Sequence, residues 1–94
     1  MPIVQVSHAP NRELYEAVAQ RLDLDTNRPE GLVLHAASET ASGEIEIIDV
    51  YDTVQQLEAF ARDRLFPAFG AAGVMPMIEG NEPPTPYEPF DYVI

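Results

Sequence analysis

The chain has 94 residues, 46% hydrophobic and 22% charged, the profile of one globular domain spanning 1–94 and not of a disordered segment. Its formal net charge is -11 and all five basic residues are arginine, so no basic stripe exists to neutralise phosphates, which argues against nucleic acid and anionic membrane surfaces as partners. The absence of cysteine excludes disulfides, thiolate catalysis and cysteine-ligated metals. With no signal-peptide pattern and no apolar run near the roughly 20 residues that span a bilayer, the expected location is cytoplasmic.

In chain order, "IVQVSH" (3–8) alternates apolar and polar residues and predicts a first strand. Asn11 is placed to cap a helix in which Leu14, Val18 and Leu22 recur every four residues, with Glu13 and Arg21 suited to its dipole. "DLDTNRPEG" breaks the period and reads as a loop. "LVLHAA" (32–37) and "IEIIDVY" (45–51) predict two strands joined by a polar turn in which Gly43 can take a positive φ, hence a hairpin.

At residue 52 the apolar period switches from 2 to 3.6. Asp52 or Thr53 caps the second helix, whose stripe is Leu57, Phe60, Ala61 and Leu65; Pro67 should end or kink it, and Gly70 or Gly73 should stop it. A proline-rich connection leads to "YEPFDYVI" (87–94), a terminal strand that Pro89 restricts to an edge or a strand start. The order β-α-β-β-α-β is that of a ferredoxin-like α+β domain: a four-stranded antiparallel sheet with both helices on one face.

Alternation along the strands assigns the two faces. Val4, Val6, Leu32, Leu34, Ala36, Ile48 and Val50 are expected under the helices. The open face then carries Ile3, Gln5, Ser7, Val33, His35, Ala37, Ile45, Ile47, Asp49 and Tyr51, a mixture that suggests a partly enclosed cavity. A hairpin centred on Ser42 sets His35 across from Asp49.

The run "GEIEIIDVYDTVQQLEAFARDRLFPAFGAAGV", with "GLVLHAA" before it and "YEPFDYVI" after it, resembles the dimeric α+β barrel superfamily, which includes the antibiotic-biosynthesis-monooxygenase-like domains. The resemblance implies a homodimer in which two ferredoxin-like sheets meet open face to open face as a barrel, with a pocket in each subunit. The activities it implies range from cofactor-free oxygenation of polyketide-like phenols through haem degradation and isomerisation to simple ligand binding. The chain departs from the haem-degrading and oxygenase members in having no tryptophan, and its second helix carries no histidine.

Three residues are candidates for catalysis: His35 as general base, Asp49 as its orienter, and Tyr51 as a hydrogen-bond donor to a substrate oxygen. The alternative is that the same three form a structural polar network at the dimer interface. Gln5, Ser7 and His8 at the first strand, with Phe60, Phe66, Met75 and Met77, are candidates for binding an apolar or aromatic ligand; the two methionines would serve as a lid. No metal-ligand spacing and no phosphate-binding glycine loop occurs, so neither a metal nor another bound cofactor is expected. Two functions stay open: a cofactor-independent monooxygenase-like or isomerase-like enzyme on an aromatic or polyketide-like substrate, and a non-catalytic ligand-binding or protein-interaction module.

Overall fold

A computed structural model of the chain describes residues 2–73 and 85–93. Strand β1 (Ile3–Ala9) is followed by helix α1 (Arg12–Leu22), the hairpin β2 (Leu32–Glu39) and β3 (Ile45–Tyr51), and a second helical rod. That rod comprises α2 (Val54–Phe60), a π-helical turn (Ala61–Leu65) and α3 (Phe66–Ala72). The sheet is antiparallel with β3 in the middle, in the order β1-β3-β2.

The helix ends follow from local chemistry. Asn11 accepts the Leu14 N–H at 2.9 Å and Thr53 accepts the Gln56 N–H at 3.2 Å, so each first turn has a side-chain cap. Arg64 Nη2 donates to the Leu22 carbonyl at 2.6 Å, tying the end of α1 to the second rod. Pro67 does not end that rod. It has no N–H for the Asp63 carbonyl, and the ladder widens just before it, with the Phe66 N–H reaching back five residues to Ala61. The rod stops at Gly73, whose φ of 75° suits a left-handed C-cap.

The core has two parts. Ile3, Leu32 and Tyr51 of the sheet pack on Leu57 of α2, while Val18 and Leu22 of α1 pack on Ala68 of α3. Phe60 touches both, and its ring lies 6.1 Å from that of Tyr51.

Leu32 lies under the helices as expected, but the rest of the sheet has its faces reversed. Ile3, Leu32, Ile45 and Tyr51 are buried on the helix side, and His35 reaches α1. Two causes are visible. The odd face of β3 carries Ile45, Ile47 and Tyr51 against Ile48 and Val50 on the other, so covering it with helices removes more apolar surface from water. In addition, β2 bulges between Leu32 and Leu34, which puts Leu32 and His35 on one face and Leu34 on the other. Arg28 braces the bulge by donating to the Leu32 and Val33 carbonyls.

The open face is consequently apolar. Val4, Val50 and Leu34 form one row across the three strands, Val6, Ile48 and Ala36 the next, and His8, Glu46 and Ser38 a polar border.

The described part of the expected fourth strand is a single antiparallel bridge, Val4 to Tyr87, with N–H···O bonds of 2.9 and 3.0 Å on the outer edge of β1. The next hydrogen-bonded pair of that ladder would be Pro2 with Pro89, and neither has an N–H to give. Beyond the bridge Phe90 and Val93 are exposed. No helix among the described residues is long and apolar enough to cross a membrane.

Candidate functional site

The centre of the site is a polar row on the helix face: Gln5, Asp49 and His35 stand side by side on the three strands. The register is set by the hairpin turn, in which Gly43 donates to the Thr40 carbonyl and Thr40 to that of Glu44. Gly43 takes the positive φ, 89°, that a three-residue loop of this kind requires.

His35 Nδ1 lies 2.6 Å from Asp49 Oδ1. A carboxylate accepts only, so Nδ1 carries the proton and Nε2 of the neutral ring is an acceptor. Tyr15 on α1 meets that nitrogen with its hydroxyl at 2.8 Å, its ring nearly parallel to the imidazole. Asp49, His35 and Tyr15 therefore form one continuous hydrogen-bonded chain. All three are half-buried, which strengthens the electrostatic component of each bond. Burial, and secondarily the negative charge of Asp49, raises the Tyr15 phenol above its ordinary pKa and keeps it protonated at neutral pH.

Tyr15 also lines a cleft of about 210 Å³ between α1 and the hairpin, with Arg12, Glu16, Ala37, Glu39 and Ile45. The phenol oxygen is thus the end of the chain from which a ligand in the cleft can be reached.

The other candidates scatter. Tyr51 packs in the core beside Ile3, Leu32 and Leu57, and its phenol is pushed up strongly by burial and then by Asp49. Gln5 and Ser7 share the helix face with His35, whereas His8 lies on the opposite face, 3.6 Å from Glu46. Phe60 joins the two core clusters and Phe66 is exposed on the second rod. Met75 and Met77 lie outside the described residues. Sequence reasoning misses Tyr15; its spacing of three and seven from Val18 and Leu22 is the signal that would place it near the inner side of α1. Among the described residues no three or more His, Asp or Glu side chains approach closely enough to hold a metal ion.

No protein-family description and no curated protein matches the sequence. Solved structures do match over nearly the whole chain. Rv0793 from Mycobacterium tuberculosis superposes with a TM-score of 0.70 at 17% identity, covering 100% of both chains. A candidate antibiotic biosynthesis monooxygenase from Chloroflexus aurantiacus gives 0.67 at 12% identity, over 99% of this chain and 97% of that one. Another, from Deinococcus radiodurans, gives 0.64 at 20% identity over 100% and 97%. The chain has the fold of the antibiotic-biosynthesis-monooxygenase-like proteins. Within that α+β fold the order β1-β3-β2, with Tyr87 on the outer edge of β1, is the strand arrangement of a ferredoxin-like sheet whose fourth strand is, among the described residues, a single bridge.

Proposed function

We propose that the protein is a cytoplasmic homodimer that binds a small phenolic or enolisable aromatic molecule in the cleft at Tyr15 and removes a proton from it. The observation that carries this reading is the Asp49–His35–Tyr15 chain ending at that cleft. The substrate O–H donates to the Tyr15 oxygen; its proton passes to that oxygen as the Tyr15 proton passes to His35 Nε2, and Asp49 stabilises the resulting imidazolium. The product is a bound phenolate or enolate, the electron-rich species that a cofactor-free oxygenation by O₂ or an isomerisation would need. The dimer reading rests on the apolar rows of the open sheet face, where Leu34 is 46% exposed and Val4, Val6 and Ile48 are only half-buried, surface that a second copy would bury.

The test is oxygen uptake and binding with hydroxynaphthalenes. Turnover that falls at least a hundredfold in His35→Ala and Tyr15→Phe, with the fold retained, supports the proposal. Binding that is unchanged in both variants, without turnover in the parent, overturns the enzymatic reading and leaves a ligand-binding module.

A further inference from the structure

A second, larger cleft lies at the other end of α1, and two arginines line it. It measures about 500 Å³ and has Leu22 and Ala68 as its apolar floor, with Pro67 and Ala71 from the second rod and Arg21 and Arg64 above. We propose that this cleft binds a small monocarboxylate with an apolar body.

The first argument is the pairing of charges. The chain has 16 acidic residues against five arginines, so a guanidinium here has carboxylates in excess. The ion pairs among the described residues are His8–Glu46, Arg12–Glu16, His35–Asp49 and Arg62–Asp63. Arg21 and Arg64 are in none of them, yet they share one cleft. Each is held by a main-chain carbonyl of α1, Arg21 by Ala17 at 3.0 Å and Arg64 by Leu22 at 2.6 Å. Arg64 is further fixed over the Phe60 ring at 5.4 Å. A guanidinium has five N–H donors, so both keep most of theirs for a ligand, already oriented.

The second argument is the charge balance. Asp23 also lines the cleft, its carboxylate held by the Thr26 hydroxyl. Two guanidiniums and one carboxylate leave a single net positive charge, which a monoanion cancels and a dianion such as phosphate overshoots. The planar guanidinium fork matches a carboxylate, and the apolar floor calls for a hydrocarbon body. The volume suits a bicyclic acid, since small-molecule pockets run from about 300 to 1,000 Å³.

This site does not rest on the proposed chemistry at Tyr15. The two clefts share no lining residue, and Arg21, six residues after Tyr15, projects about 120° away around α1.

The experiment is a titration of the full chain with 1-naphthoate and with neutral 1-naphthamide, followed by amide and arginine Nε–H resonances. Saturable naphthoate shifts at Leu22, Ala68 and Arg21, absent with the amide, are expected. Arg21→Gln should weaken binding about tenfold, and Ala71→Glu, which sets a rival carboxylate in the cleft, should abolish it; both residues are exposed, so the fold should persist. Equal binding of acid and amide, or naphthoate affinity unchanged in both variants, would overturn the proposal.

Discussion

Asp49 governs Tyr15 without touching it. The carboxylate holds His35 Nδ1, and His35 Nε2 holds the Tyr15 hydroxyl, so a residue of the central strand sets the hydrogen bonding of a side chain on α1. Its charge also raises the Tyr15 phenol, second to burial. Asp49→Asn should therefore bring the Tyr15 titration part of the way back toward an ordinary phenol, and that of Tyr51 with it, because Asp49 acts on both. Ultraviolet absorbance between pH 9 and 12 reads this directly; a Tyr15 titration unmoved by the substitution would show that burial alone sets it.

Tyr15 and Tyr51 also predict the alkaline limit of stability. Both folded-state values are raised, so their contribution is fully present below the unfolded value of about 10 and is lost as pH rises toward the folded values. Unfolding free energy should fall above pH 10 by up to about 1.4 kcal/mol per pH unit for each tyrosine. Denaturant melts at pH 8, 10 and 11 test this, with Tyr51→Phe expected to flatten the decline.

The open sheet face predicts the assembly state. Ile48 is the middle residue of the row Val6–Ile48–Ala36, at the centre of the apolar patch. Ile48→Asp should yield a monomer by light scattering at micromolar concentration where the parent is a dimer, because a carboxylate buried between sheets without a partner costs several kcal/mol. A dimer that survives the substitution would place the contact elsewhere.

Among the described glycines Gly31 has the least freedom to change. Its φ is 83°, its carbonyl accepts the Asp52 N–H at 2.8 Å, and a Cβ there would overlap the Gln56 side chain. Gly31→Ala should cost about 1 to 3 kcal/mol from positive-φ strain and the clash together. Adding Gln56→Ala should recover only the steric part, which thermal denaturation of the double mutant would separate.

The legibility of these features in the sequence follows the range of the interactions. Each strand, cap and helical stripe is set by neighbours within a few residues, and the Thr53 cap and the Leu14–Val18–Leu22 stripe stand where the sequence places them. The His35–Asp49 pair was also readable, because a hairpin centred on Ser42 fixes which residues face each other. The faces were not: both faces of β3 carry apolar residues, so alternation alone does not say which one the helices cover, and in β2 the bulge at Val33 breaks the alternation itself. Tyr15 joins the chain only when α1 docks on the sheet, and no local pattern encodes a docking angle. The terminal strand has strand-like residues, yet Pro2, at the far end of the sequence, helps decide how far its ladder runs.

The π-helical turn before Pro67 means that the second rod holds one residue more than its rise requires. Upstream, Leu57 and Phe60 are keyed to the sheet; downstream, Ala68 is keyed to α1. The extra residue is the rotational offset that lets one continuous rod satisfy both partners. Deletions in this region accordingly differ in what they break: a residue lost between 61 and 65 removes the offset that keys Ala68 to α1, whereas one lost from 54–60 unkeys Leu57 from the sheet.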